Sequence, residues 1–329
     1  MPPHHLTTAP PHQLAAAVLT LLAGADLDMA AADIGLEATD LVEATMVYQA
    51  AGLAALERRA EAQWYQLRIE FPDWDTAEKI GANQLGPRLD ELQSSGAIAG
   101  WWFLRKYPCW RLRLRDADIP AVDQVFDDLA AAGALTRWWP TVYEPETAAF
   151  GGPVGIQAAH DLFCADSRGV LGYARQNAPG LGRRELSILL INALLRAADM
   201  DVFERGDVFA RVAQLRPPPT EAETAIVEKL TNDVRMLLAI PVQADSGPFA
   251  STGPTTFAAP WLTAWQAAGH QLGHAAAQGR LDRGLRAVLT HVLIFHWNRV
   301  GLSAAVQGIL ARAAAAALLP GSRPWTPPR

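Results

Sequence analysis

Between Trp64 and Tyr143 the apolar positions alternate between two periods. Trp64–Phe71 (WYQLRIEF) has strand spacing, Asp75–Gln93 helix spacing, Gly100–Tyr107 and Trp110–Arg115 strand spacing on either side of a proline, Ile119–Ala132 helix spacing, and Trp138–Tyr143 strand spacing again. This succession predicts β-α-β-β-α-β, a ferredoxin-like layer in which an antiparallel sheet carries both helices on one face. The other face needs a cover. The rest of the chain offers one, because Val154–Ala165, Arg168–Asn177, Arg184–Ala198, Val202–Leu215, Thr220–Leu238, Trp261–Gln278, Leu281–Val300 and Ala304–Ala316 all read as helices. Only Pro241–Pro260, rich in Gly, Pro, Ser and Thr, lacks a pattern, and its length suits either a substrate-contacting loop or plain disorder.

Upstream, His12–Leu56 predicts three short helices: one through Leu22, one from Asp28 to Ile34, and, after a turn at Gly35, Glu37–Ala51 with a stop at Gly52. That arrangement is helix-turn-helix-like and suggests a small winged-helix module, with a simple packing or dimerising subdomain as the alternative. Pro-rich residues 1–12 and 320–329 read as loose tails. The predicted organisation is therefore α+β: a helical module over 1–60, and a second domain over 61–329 with a sheet part at 61–150 and a helical part at 151–320.

Composition narrows the function. Half of the 329 residues are hydrophobic, enough for a sizeable core, and the net charge of −6 leaves no basic excess for a nucleic-acid backbone. His12–Glu57 contains no lysine or arginine, which argues against DNA contact by the helical module. Cys109 and Cys164 fit no metal or redox spacing. No signal-peptide pattern and no run of about 18 apolar residues is present, so a cytoplasmic protein without membrane contact is expected.

Candidate chemistry collects at two basic clusters. Arg111, Arg113 and Arg115 alternate along one predicted strand and so share a sheet face, which suits either an anionic substrate or a solvated edge strand. His296 and Arg299 lie three apart on an apolar helix, with Asn298 between them, and share a face. His270 and His274 are four apart, but Gln271 stands where a zinc protease carries glutamate and no third ligand is evident, so no metal is expected. Glu144 and Glu146, in the polar turn after Tyr143, are bases or solvent-facing residues. Arg183 and Arg184 read as an ordinary helix start. No phosphate-cradling loop, nucleophile elbow or dinucleotide fingerprint occurs.

Four segments, WWFLRKYPCWRLRLR, YEPETAAFGG with the following AAHDLFCADS, RRELSILLINALL, and IFHWNRVGLS, together resemble the C-terminal elimination domain of lantibiotic dehydratases, found alone as thiopeptide-type bacteriocin biosynthesis proteins. The resemblance runs from about residue 64 to 316. It implies an enzyme that expels glutamate from glutamylated Ser or Thr of a precursor peptide, leaving dehydroamino acids, without cofactor. A separate glutamyl-tRNA-dependent subunit would glutamylate, and a homodimer is compatible with the pattern. It implies catalytic roles for His296, Arg111 and Arg113, and substrate contacts for Arg105, Arg299, Asn298 and Tyr143. Pro145 and Ala149 stand where the family carries arginines. That departure keeps open a thiopeptide pyridine synthase, which joins two dehydroalanines and releases the leader peptide, and a non-catalytic precursor-binding partner.

Overall fold

The computed structural model describes residues 9–242, 247–253 and 255–319, with the side chains of 54–62 outside the description. Of the expected tails at 1–12 and 320–329, residues 1–8 and 320–329 fall outside it, and Pro11 and His12 already belong to the first helix. The chain divides into two compact units, 1–63 and 64–329. In the first, α1 (Pro11–Leu22), α2 (Leu27–Ala32) and α3 (Ala38–Ala62) close a small core of Ala17, Val18, Ala30, Ala31, Leu41 and Ala44. Asp26 caps α2 by accepting from the Met29 amide at 3.0 Å. No strand is present among the described residues of this unit, so the wing has no counterpart there. The expected stop at Gly52 is also corrected, since α3 runs on to Ala62. A helical glycine costs only about 1 kcal/mol relative to alanine, too little to end a helix flanked by Ala- and Leu-rich turns.

The second unit is α+β and mostly helical, with one four-stranded antiparallel sheet. Its strands are β1 (Trp64–Glu70), β2 (Gly100–Lys106), β3 (Cys109–Arg115) and β4 (Arg137–Thr141), in the order β2-β3-β1-β4. Between β1 and β2 run α4 (Ala77–Ile80), a π-helical turn (Gly81–Leu85) and α5 (Gly86–Ser94), and α6 (Ile119–Ala131) joins β3 to β4. The register aligns Trp102, Arg113, Gln66 and Thr141 in one row across the sheet, with Leu104, Arg111, Arg68 and Trp139 in the next row on that face. The opposite face carries Leu67, Ile69, Phe103, Leu112 and Leu114, all buried, and there the Tyr65 hydroxyl and the Trp138 indole donate to Asp123 and Asp127 of α6. β3 is thus a central strand, and its arginines are not a solvated edge. Trp101, Trp102, Phe103 and Trp110 are fully buried. Burial at about 25 cal/mol/Å² over roughly 150–250 Å² gives about 4–6 kcal/mol per ring before entropy, so the hairpin is a core element.

The arginine-bearing face meets α7 (Gly152–Ala174), one helix where the sequence pattern suggests two. Asp166 and Ser167, which interrupt the apolar pattern, are buried and bonded: Ser167 Oγ accepts the Phe103 amide of the outer strand β2 at 3.1 Å, and Asp166 accepts four donors described below. Gly169 lets α7 cross the helix that carries Trp261, since a Cβ there would meet the Trp261 ring at 2.1 Å. The remaining helices are α8 (Arg183–Ala197), α9 (Val202–Gln214), α10 (Glu221–Ala239), α11 (Ala259–Ala277), α12 (Leu285–Val300) and α13 (Ala304–Leu318). Capping boxes at Asp201–Glu204 and Thr220–Glu223 start α9 and α10. Within Pro241–Pro260, two 3₁₀ turns (Gly247–Phe249 and Thr256–Ala258) and a buried Phe249 anchor the described part; residues 243–246 and 254 lie outside it.

Candidate functional site

The row of three strand arginines splits into three electrostatic situations. Arg115 pairs with Asp161 of α7 at 2.8 Å. Arg111 is half-buried and has no ion pair among the described residues. Arg113 is 2% exposed and also lacks a carboxylate partner among the described residues. Its Nε donates to Gln66 Oε1 at 2.8 Å, and Gln66 Nε2 in turn donates to Thr141 Oγ1 and the Val142 carbonyl, both at 2.8 Å. The guanidinium carbon sits 4.1 Å from the Trp102 ring centre and 4.9 Å from that of Tyr143, while Nη1 is buried without a hydrogen-bond partner. Burial pulls Arg113 down to about 10, only partly opposed by Tyr143 and Glu146. A cation held this way is complementary to an anion that arrives from elsewhere.

Beside it, the Tyr143 hydroxyl and His160 Nε2 are 2.8 Å apart, both residues buried. Burial, with Arg113 adding to it, lowers His160 to about 4, so the imidazole is neutral at pH 7. Burial likewise raises the Tyr143 phenol. The tyrosine therefore stays protonated, and its hydroxyl serves as donor to the imidazole or to a bound group. Trp64 packs on His160 at 4.7 Å and Phe163 on Trp102 at 5.0 Å around this pair.

His296 and Arg299 occupy a different place. Both are fully buried and face Asp166 of α7: His296 Nδ1 lies 2.9 Å from Oδ1, and Arg299 Nε donates to Oδ2 at 2.6 Å. Trp261 and Trp265 also donate to Oδ1, at 2.9 and 3.3 Å. Burial alone would raise this carboxyl, but His296 and Arg299 outweigh it and hold it below the ordinary carboxylate range. His296 Nε2 is 2.9 Å from Ser187 Oγ, which accepts the Trp297 indole at 2.8 Å. Ser187, His296 and Asp166 follow one another as in a nucleophilic triad. Ser187 is nonetheless buried, and the cavity beside it, about 10 Å³, has room for one water-sized centre and no more.

Arg105 and Asn298 line a third feature, a cavity of about 320 Å³ at the end of the hairpin, with Trp74, Glu78, Trp110 and Ser303. Glu78 accepts from Arg105 at 2.5 Å and from Arg183 at 2.9 Å. Gly301, at φ 83°, ends α12 against Arg105; a Cβ there would lie 2.9 Å from Arg105 Nη1. Neither cavity is lined by His296, Arg111 or Arg113. The structure thus brings Arg113 and Tyr143 together on one sheet face, His296 and Arg299 together around Asp166, and Arg105 and Asn298 together at the hairpin end. Among the described residues no His, Cys, Asp or Glu cluster is suited to a metal.

The profile of the family described as lantibiotic biosynthesis dehydratase C-term matches residues 64–318. The chain belongs to the lantibiotic dehydratase C-terminal family. Three solved structures share the fold: the tRNA-dependent lantibiotic dehydratase MibB from Microbispora sp. 107891 (TM-score 0.57, 18% identity, 78% of this chain and 28% of that one), TsrL (0.55, 18%, 80% and 99%), and the pyridine synthase TbtD from thiomuracin biosynthesis (0.53, 12%, 78% and 97%). The chain therefore spans about a quarter of the length of MibB. No curated protein sequence matches. The matched region contains every side chain of the three clusters and excludes the helical unit 1–63. Sequence reasoning missed Gln66, His160, Asp166 and Ser187. Of these, Asp166 carried a signal, an acid amid the apolar run of a helix, while the other three are ordinary residue types whose role depends on what packs against them.

Proposed function

We propose that this family member is a lyase of ribosomal-peptide antibiotic maturation that eliminates glutamate from glutamylated Ser or Thr of a precursor peptide. The single observation that carries this reading is Arg113, a buried guanidinium without a carboxylate partner, on a sheet face it shares with Arg111. In the elimination, the Cα–H bond breaks as a base takes the proton, its electron pair forms the Cα=Cβ bond, and the Cβ–O bond breaks with glutamate leaving as a carboxylate. Arg113 and Arg111 hold that carboxylate as its charge develops, and guanidinium groups offer paired donors of matching geometry. The proton passes to the neutral imidazole of His160 by way of the Tyr143 hydroxyl beside Arg113. His296, with both ring nitrogens engaged, fixes Asp166 and Arg299 beneath Phe163, and Arg105 and Asn298 contact substrate at the turn end of the hairpin, Arg105 from the sheet face opposite Arg111 and Arg113.

The turn where Pro145 and Ala149 replace family arginines is still reached by a cation, since Arg283 Nη1 donates to the Ala149 carbonyl at 3.2 Å. The order β2-β3-β1-β4 suits a ferredoxin-like layer as the platform for this site. The partner reactions follow from the chemistry: a separate glutamyl-tRNA-dependent subunit supplies the glutamylated precursor, and the setting is cytoplasmic. A pyridine synthase is the second reading, favoured by Pro145 and Ala149 and by the near-complete coverage of TbtD. Incubation of the purified chain with glutamylated precursor, followed by mass spectrometry, decides between them. Glutamate loss that disappears in Arg113→Met supports the lyase, a macrocycle with leader release supports the synthase, and tight binding without a mass change leaves a precursor-binding partner.

A further inference from the structure

The helical unit 1–63 holds charge that the rest of the chain does not. It has eight acidic residues and two arginines, a net of −6 that equals the charge of the whole chain, so residues 64–329 are balanced. Its longest helix, α3, is apolar on two sides. Leu41 and Ala44 turn into the small core shared with α1 and α2. At about 100° per residue, Val42, Met46, Val47, Ala50 and Leu53 fall around the other side. All five are exposed, Val42, Met46, Val47 and Leu53 by 40–64%. A surface helix ordinarily turns one apolar stripe to the core and a polar face to water. The second face of α3 instead carries a single charge, Glu43, which is exposed and has no ion pair among the described residues. Asp40 borders it, seven residues before Val47 and so on the same side of the helix.

Apolar side chains at this spacing gain from cover, at about 25 cal/mol per Å² removed from water. A second copy of the chain does not suit them. Two-fold symmetry would set the face against itself, bringing each Glu43 near its counterpart and two units of net charge −6 together. An extended peptide does not suit them either, because no strand is present among the described residues of this unit and there is no sheet edge to pair with. The occupant that satisfies both the apolar positions and the acids is a helix, apolar along one side and cationic beside it.

We propose that this face of α3 docks a basic amphipathic segment of the substrate peptide, helical when bound, with its apolar side on Val42, Met46 and Leu53 and a lysine or arginine beside Glu43. This rests on the reading that the substrate is a peptide, but not on the reaction performed at Arg113. Positions 42–53 extend about 17 Å along the axis at 1.5 Å per residue, the length of a peptide helix of about three turns. Folded partners bury roughly 800 Å² on each side, more than one helix face of this length offers. A segment held here anchors the peptide through residues that take no part in the reaction.

The test uses the full chain and a fluorescein-labelled, end-blocked Ala-Lys-Leu-Leu-Lys-Ala-Leu-Leu-Lys-Lys-Leu-Ala peptide, with a control of the same composition whose leucines are spread around the helix. Met46→Lys puts a cation on the exposed face without touching the core, and Met46→Leu keeps the face apolar; both residues are good helix formers. Saturable binding of the amphipathic peptide is expected, at least tenfold weaker in Met46→Lys, within twofold in Met46→Leu, at least tenfold weaker for the control peptide, and weakened by added salt. Glu43→Gln is expected to weaken it severalfold. Saturating amounts of the peptide are expected to raise the Kd of labelled precursor at least threefold. Equal binding by Met46→Lys, equal affinity for the control, or no saturable binding overturns the docking face. Peptide binding that leaves the precursor Kd unchanged also overturns it, since the face then serves another partner, and so does self-association of the chain that Met46→Lys abolishes. Arg113→Met is expected to keep peptide binding. Binding and competition without glutamate loss by the unaltered chain therefore refute the lyase and leave the docking face standing, whereas glutamate loss with none of the binding pattern refutes the docking face alone.

Discussion

Replacing Arg113 by methionine separates a charge kept for a ligand from one kept for packing. An ordinary guanidinium gives up its proton only above about 12.5, so holding it at about 10 opposes the cation by about 2.5 pH units, or about 3 kcal/mol at 1.36 kcal/mol per pH unit. The sign is destabilising: the folded value lies below the unfolded one, so the cost is fully present at neutral pH and is relieved only as pH rises through about 10. Against it stand the ring faces of Trp102 and Tyr143, about 1–2 kcal/mol together, and the hydrogen bond to Gln66, about 1 kcal/mol. Methionine fills similar space and removes all of these at once, so the expected change in folding stability is within about 1 kcal/mol of zero. An ordinary buried large residue loses about 2–5 kcal/mol on truncation. The rate of glutamate elimination is expected to fall about 10²–10³-fold, the scale for losing one preorganised charge-stabilising donor. Urea unfolding and mass-resolved turnover on the same preparations read the two quantities. A stability loss near 3 kcal/mol with turnover retained refutes the reasoning and makes Arg113 a structural strut.

Four further outcomes follow from the same geometry. His160, lowered by burial and by Arg113 to about 4, favours the folded state in its neutral form; about 3 kcal/mol of stability present above pH 6.5 is expected to disappear as pH falls toward 4, and urea midpoints at pH 7 and 4.5 should converge in His160→Gln. Asp166→Asn strands a fully buried Arg299 and is expected to cost about 3–5 kcal/mol, most of it recovered in Asp166→Asn/Arg299→Met, as measured by thermal unfolding. Arg283→Ala is expected to lower elimination at least tenfold with melting temperature unchanged, and unaltered turnover removes Arg283 from the site. Deleting residues 1–63 is expected to raise KM and leave kcat nearly intact, because a separate compact unit outside the matched family region adds binding common to ground and transition states; equal loss in kcat and kcat/KM contradicts that role.

The sheet and most helices were legible because their apolar periods are long and uninterrupted: β1 to β4 and α8 to α11 fall within about two residues of their sequence-derived bounds. The errors share one physical cause. Asp166–Ser167 looked like a break because a polar pair in a helix is ordinarily solvated, yet here the pair is buried and bonded to Trp261, Trp265, His296, Arg299 and the Phe103 amide. Gly52 looked like a stop because local propensity was weighed without the flanking turns. Strand alternation picked out Arg111 and Arg113, and helical spacing His296 and Arg299, as candidates. Which arginine lacks a counter-ion was not legible, because it depends on where acids more than 40 residues away come to lie. Arg115 meets Asp161, Arg299 meets Asp166, and Arg113 meets the neutral amide of Gln66.

That contrast is the strongest argument for where the chemistry takes place. Arg299 and Arg113 are linked through two rings in contact: the Arg299 guanidinium lies 4.2 Å from Phe163, Phe163 lies 5.0 Å from Trp102 at a tilt of 49°, and Arg113 lies 4.1 Å beyond on Trp102. The two cations share one pair of contacting rings and a similar degree of burial. At one end the fold supplies a carboxylate from α7, and that same helix passes His160 and Asp161 close to the other end, so an acid facing Arg113 is one substitution away. Gln66 is itself the amide counterpart of such an acid, seated 2.8 Å from Arg113 Nε. Glutamate there would pair with Arg113 but would also turn a carboxylate oxygen toward the Val142 carbonyl, where Gln66 Nε2 now donates at 2.8 Å. Gln66→Glu is expected, by neutralising the cation that an incoming carboxylate would need, to abolish glutamate release while the chain stays folded; a folded variant that is fully active would show that the unmatched charge of Arg113 serves no substrate.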